Sequence, residues 1–130
     1  TLYSLQPFEN RMVNLTLTGT QIRGIVEQAV REEQPGVHVS GITVHYNRAA
    51  PAGQRVTRIR VGNEELRDDA TYIVAVTDFL ATGTGDGYRG FGQASKRADI
   101  GLTDLEALIK YLQSQPQPVK AARDRRYVAD

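Results

Sequence analysis

The pattern that most constrains the fold is a change of hydrophobic period at Thr18. From Arg11 to Thr18, Val13, Leu15 and Leu17 alternate with Asn14, Thr16 and Thr18. Period two with this composition is that of a strand with one buried face. Thr18 also stands three residues before Gln21, the spacing of a capping box that starts a helix. Ile22, Ile25, Val26, Ala29 and Val30 then recur every three or four residues, one apolar stripe along a helix. Gly24 lowers that helix's propensity by about 1 kcal/mol relative to alanine, and we expect it to permit a close approach to the sheet. Gln34-Pro35-Gly36 marks the helix end.

Further along, Ile42, Val44 and Tyr46 alternate as a second strand, and Ala49 to Gly53 form a turn. Arg55 to Val61 returns as a third strand with Ile59 and Val61 inward, ahead of a turn at Gly62-Asn63. Tyr72-Ile73-Val74-Ala75-Val76 has no polar interruption and predicts a central strand covered on both faces. Thr82 to Gly92 holds five of the chain's 12 glycines and reads as a long shaped loop without regular structure. Thr103 with Glu106 repeats the capping-box spacing, and Leu105, Leu108, Ile109 and Leu112 make a second amphipathic helix. Gln115-Pro116-Gln117-Pro118 breaks it, and Arg126 to Val128 predicts a short closing strand. These elements sum to an α+β fold, a mostly antiparallel sheet with two principal helices packed against it, over one domain spanning residues 1–130.

Composition excludes several classes of function. Sixteen basic and 15 acidic residues leave a formal net charge of +1, which argues against a nucleic acid polymer or an anionic membrane surface as partner. No apolar run approaches the roughly 18 residues of a spanning helix. Without cysteine there is no disulfide, no Cys-ligated zinc and no thiol nucleophile. The chain opens on Thr1-Leu2-Tyr3-Ser4, with neither Met nor a signal-peptide pattern, so a processed or excised piece is expected.

Chemistry-bearing residues are few. Gly85-Asp86-Gly87-Tyr88-Arg89-Gly90 matches G-x-G-x-x-G after a strand, but Phe91-Gly92-Gln93 does not begin the helix a dinucleotide site requires. A structural loop is the plainer reading. Its glycines would nonetheless let backbone N–H groups approach a ligand, and Asp86 between them can accept hydrogen bonds from a vicinal diol. Phe8 and Phe79 lie at loop mouths, where two aromatics can sandwich a planar base; from spacing alone, core packing is the stronger reading of both. His38 and His45 lack metal-ligand spacing, and the serines lack a nucleophile elbow. Lys120, Arg123, Arg125 and Arg126 read as a solvated basic face. No catalytic and no metal-binding residue is expected in this chain.

Three stretches in order resemble the C-terminal domain of the 5'-nucleotidase family: Leu5-Gln6-Pro7-Phe8-Glu9-Asn10 running into Leu15-Thr16-Leu17-Thr18-Gly19, then Val39-Ser40-Gly41-Ile42, then Asp78-Phe79-Leu80-Ala81-Thr82-Gly83-Thr84-Gly85-Asp86-Gly87-Tyr88. Thr71 to Ala75 resembles the family's strand before the last of these. The resemblance covers roughly residues 2 to 92. It implies that Phe8 and Phe79 stack on the two faces of a base, which reverses the preference for core packing. It also implies that Asp86 accepts hydrogen bonds from ribose hydroxyls, with Gly83 and Gly85 shaping its loop, and that Asn10 meets the base edge.

What else the resemblance implies lies outside the chain. The family joins this domain to an N-terminal metallophosphoesterase whose divalent metal pair activates water against a phosphate ester. The expected function is therefore nucleoside or nucleotide recognition within a parent hydrolase of periplasmic, cell-surface or extracellular location. The loop departs from the family's Gly-Gly-Asp-Gly by the extra Thr84, and Glu9 replaces a frequent small residue. The family's upstream Arg-bearing segment is not in the sequence. These departures keep open the alternative of a non-catalytic binding or interaction module that retains the fold without nucleotide recognition.

Overall fold

A computed structural model describes residues 10–84, 87–115 and 124–130. The expected strand is β1, Arg11–Thr18, and its odd-numbered residues Val13, Leu15 and Leu17 are buried. Helix α1, Gly19–Ala29, follows without a spacer. The Thr18 hydroxyl accepts from the Gln21 N–H at 3.1 Å, and the Gln21 side chain accepts from the Thr18 N–H at 2.9 Å. The capping box is complete, and it satisfies two of the helix's orphan donors.

The described chain gathers into two compact units. Of the described residues, one unit holds 10–16, 73–84 and 87–115; the other holds 17–72 and 124–130. In the second unit a four-stranded sheet is built from β2 (Ile42–Tyr46), β3 (Val56–Val61), β4 (Glu64–Glu65) and β7 (Tyr127–Ala129), in the order β4-β3-β2-β7. β2 and β3 are antiparallel, with Val44 opposite Ile59, and β7 lies parallel to β2. Helix α1 buries Ile22, Ile25, Val26 and Ala29 in this unit, whose core also holds Val30, Val44, Tyr46, Ile59 and Leu66. Full burial of each aliphatic side chain contributes about 1.5–3 kcal/mol.

The end of α1 is tied down by charge. Arg55 donates to the carbonyls of Val30 (3.0 Å), Arg31 and Ala50 (3.0 Å). The Glu27 carboxylate accepts the backbone N–H groups of Arg55 (2.9 Å) and Val56 (3.1 Å). Arg126, expected on a solvated face, instead donates to the Val39 carbonyl at 2.8 Å and helps seat β7. Lys120 and Arg123 lie outside the described residues. His38 is exposed, while His45 is half-buried with Nδ1 3.4 Å from Asp130.

The first unit carries a three-stranded sheet, β5 (Thr71–Thr77), β1 and β6 (Lys96–Thr103), in the order β5-β1-β6. Its core includes Val13, Leu15, Val76, Ala81, Tyr88 and Phe91. Two expectations fail here. β5 is not the central strand: among the described residues it lies at the sheet's end, and Ile73 is 67% exposed. Its alternation is real, but apolar residues occupy the outward positions and hide it; an apolar identity does not report burial. The stretch from Thr82 to Gly92 is not wholly irregular either, since a 3-10 helix spans Arg89–Gln93.

β6 escapes sequence reading because every residue from Lys96 to Gly101 is exposed, leaving no apolar period to detect. Helix α3, Asp104–Ser114, begins at the second capping box, where the Thr103 hydroxyl accepts from the Glu106 N–H at 3.1 Å. A further short helix α2, Asp78–Ala81, links β5 to the glycine-rich segment.

Candidate functional site

The candidate site grows from the end of β5. The Thr77 hydroxyl accepts from the Leu80 N–H at 3.4 Å and caps α2, whose first turn carries Asp78, a favourable charge at a helix start. One turn is enough to reverse the burial of neighbours. Ala81 points into the core, and Phe79 is presented outward, 51% exposed.

Gly83 ends the helix in the left-handed region, φ +77°, with its N–H bonded to the Leu80 carbonyl at 3.1 Å. The Thr82 hydroxyl donates to the Phe79 carbonyl at 2.8 Å and accepts from the Thr84 N–H at 3.2 Å. Its single proton being used there, Thr84 must donate in the 3.0 Å contact between the two hydroxyls. Thr84, the residue in excess of the family pattern, is thus bound into the helix end.

Past Gly85 and Asp86, the Gly87 N–H returns to the Thr84 carbonyl at 3.3 Å. Tyr88 and Phe91 are then buried together, ring centroids 6.1 Å apart and tilted by 49°. Gly92 comes back against Gly83: a Cβ on Gly83 would lie 2.9 Å from the Gly92 Cα. The segment is therefore a closed loop, pinned at its base by two glycines and anchored by two core aromatics.

The start of β1 is fixed separately. The Asn10 carbonyl accepts from the Asp104 N–H at 2.6 Å, and Asn10 is half-buried. Arg11 makes a two-pronged pair with Asp99, Nε to Oδ2 at 2.9 Å and Nη2 to Oδ1 at 3.1 Å. The Asp99 hydrogen bonds raise the Arg11 pKa above its ordinary value, with smaller contributions from the charges of Glu106 and Asp78. In return, the Arg11 hydrogen bond and then the Gly101 N–H lower the Asp99 carboxyl below the usual range.

A family model for the "5'-nucleotidase, C-terminal domain" matches residues 1–93. The chain belongs to the 5'-nucleotidase C-terminal domain family. Among its relatives, the protein named Endonuclease YhcR of Bacillus subtilis (strain 168) is 31% identical over 126 residues, covering 96% of this chain and 10% of that protein. A probable 5'-nucleotidase of Treponema pallidum (strain Nichols) is 31% identical over 127 residues, covering 86% of this chain and 21% of that protein. Among solved structures, the 5'-nucleotidase precursor from Thermus thermophilus superposes with a TM-score of 0.88 at 32% identity, covering 98% of this chain and 27% of that one. The chain thus spans from a tenth to about a quarter of the length of these relatives.

Within this family domain, the residues singled out from sequence fare unequally. Phe79 is outward, Gly83 sits at the helix end, and Asn10 opens β1, all within the first unit. Phe8, Gly85 and Asp86 lie outside the described residues. Among the described residues there is no group of three or more His, Asp or Glu side chains that could hold a metal ion. Sequence reading missed the Gly83–Gly92 contact and the Arg11–Asp99 pair. The first had a faint signal in two glycines bracketing a glycine-rich segment; the second had none.

Proposed function

We propose that this domain recognises the nucleoside part of a phosphate-ester substrate for a metal-dependent 5'-nucleotidase-type hydrolase, in nucleotide catabolism. The observation that carries this reading is the exposure of Phe79 beside a loop whose other aromatics, Tyr88 and Phe91, are buried. A ring left outward next to a pinned glycine loop supplies an apolar face for a planar base. Phe8 on the opposite face, Asp86 toward the ribose, and Asn10 toward the base edge complete the proposed clamp.

In this reading the chain supplies binding rather than bond-breaking. A metallophosphoesterase domain of the same parent polypeptide would hold the divalent metal pair and supply its water-activating chemistry. Remote binding of base and ribose then orients the phosphate. A net charge of +1 supports a nucleotide ligand rather than a nucleic acid polymer. A periplasmic, cell-surface or extracellular location belongs to the same proposal.

The test is Phe79→Ala in the enzyme with its catalytic domain in place. Loss of one stacked face, about 1–3 kcal/mol, should lower kcat/KM for a nucleoside 5'-monophosphate by roughly five- to 150-fold. Turnover of p-nitrophenyl phosphate, which has no nucleoside, should be unchanged. Equal losses on both substrates would overturn the recognition role.

A further inference from the structure

Helix α2 is a single turn, too short to satisfy its own last carbonyls. The Gly83 N–H, which a longer helix would return to Phe79, goes to the Leu80 carbonyl at 3.1 Å instead. The Thr82 hydroxyl takes its place and donates to the Phe79 carbonyl at 2.8 Å. The residue that presents its ring outward is thus held at its own backbone by a side chain.

The same hydroxyl is filled on its other side. It accepts the Thr84 N–H at 3.2 Å and the Thr84 hydroxyl at 3.0 Å, so its one proton and both lone pairs are in use. Thr84 is the residue in excess of the family pattern, and its carbonyl accepts the Gly87 N–H at 3.3 Å. One oxygen therefore joins the backbone of Phe79 to the inserted residue. A hydroxyl bonding back to a nearby carbonyl is common at helix ends. That habit accounts for the bond to Phe79, but it gives no use to the Thr84 hydroxyl, which is exposed and could bond water equally well. Both threonines are exposed, so their bonds add little to global stability. What they limit is the freedom of a helix too short to be rigid alone.

We propose that Thr82 and Thr84 are positioning residues for nucleoside recognition, the Thr82 oxygen, locked by Thr84, fixing the end of α2 and with it the direction of the Phe79 ring. The inference rests on the recognition reading above. Neither residue touches the ligand; both act through Phe79.

The experiment compares valine and serine at each position, in the enzyme carrying its catalytic domain. Thr82→Val should raise KM for a nucleoside 5'-monophosphate by about fivefold, the scale of one net hydrogen bond. Thr84→Val should raise it by about threefold, since the bond from Thr82 to Phe79 survives that change. Thr82→Ser and Thr84→Ser keep the hydroxyls and should keep the parent KM. The kcat value, p-nitrophenyl phosphate turnover and thermal midpoint should stay at their parent values throughout. Added to Phe79→Ala, Thr82→Val should have no further effect, because it acts through the ring. Parent KM in Thr82→Val, serine as damaging as valine, a full additional loss on top of Phe79→Ala, or equal losses on p-nitrophenyl phosphate would each overturn the proposal. Should Thr82→Val fail to fold, Thr84→Val decides, and a parent KM there overturns it. Phe79→Ala alone separates the two readings. If it raises the nucleotide KM while the valine variants do not, only the positioning role fails; if it has no effect, the recognition reading itself fails.

Discussion

Alanine at Gly19 is expected to lower the melting temperature by roughly 10 °C, the consequence of about 3 kcal/mol of overpacking in a domain of this size. The same substitution at Gly24, in the same helix, is expected to raise it by about 3 °C. Gly19 is the buried first residue of α1. Its N–H donates to the Ala70 carbonyl at 3.0 Å, and the Thr20 N–H and hydroxyl both reach the Asp68 carbonyl at 3.3 Å. Arg23 adds an ion pair to Asp68 at 3.1 Å. A Cβ on Gly19 would stand 2.0 Å from the Arg67 carbonyl oxygen and 2.7 Å from its carbon. Both are backbone atoms, so no side chain can swing aside. The 67–70 segment or the helix start must move, and that movement breaks the bonds to Asp68 and Ala70. Gly24 meets nothing within 4 Å and faces solvent, so alanine there only removes the helix-propensity penalty. Far-ultraviolet circular dichroism melts of the two variants decide the matter. Equal midpoints, or a Gly19→Ala midpoint at the parent value, would refute the steric account.

The contrast between these glycines shows what the sequence could and could not disclose. The sequence leads one to expect Gly24 to permit a close approach to the sheet, and that fails: a Cβ at Gly24 meets nothing within 4 Å, and the close backbone approach in α1 is instead at Gly19, against the Arg67–Asp68 turn. The helical pattern announces both glycines equally. What distinguishes them is the Arg67 backbone, brought in by tertiary folding. Elements with a buried face and a local cap were legible: β1 by its alternation, α1 and α3 by capping boxes at Thr18 and Thr103. Those whose constraint is non-local were not. β6 exposes Lys96 to Gly101 and has no period to read. β5 looks central in the sequence because apolar residues such as Ile73 sit on its outward face. The same division runs through the site. Phe79 and Gly83 are marked by their place after a strand and at the head of a glycine-rich segment. Arg11 and Asp99, 88 positions apart, leave no trace in any local pattern.

Gly83→Ala should be the most damaging glycine substitution in the loop, lowering kcat/KM for a nucleoside 5'-monophosphate by roughly thirty- to 150-fold as about 2–3 kcal/mol of strain falls on the recognition loop. Two penalties combine at this residue. Its φ of +77° costs a side-chain-bearing residue about 1–2 kcal/mol. Its new Cβ would also lie 2.9 Å from the Gly92 Cα, 3.0 Å from the Gly92 nitrogen and 3.2 Å from the Arg89 carbonyl oxygen, all backbone. Gly92 faces the same contact from the other side, 3.1 Å to the Gly83 Cα, but without a left-handed backbone. Gly92→Ala should therefore cost less, and that ordering separates the conformational penalty from the steric one. Relief of strain at Gly83 would draw on its bond to Leu80 and on the Thr82 and Thr84 hydroxyls. These are the bonds that set where the chain leaves the helix presenting Phe79 and turns toward Gly85 and Asp86. Hydrolysis of p-nitrophenyl phosphate should be spared in both variants, since it needs none of this loop. A Gly83→Ala enzyme with parent nucleotide kinetics, or one damaged less than Gly92→Ala, would mean that the pinned loop base does not govern recognition.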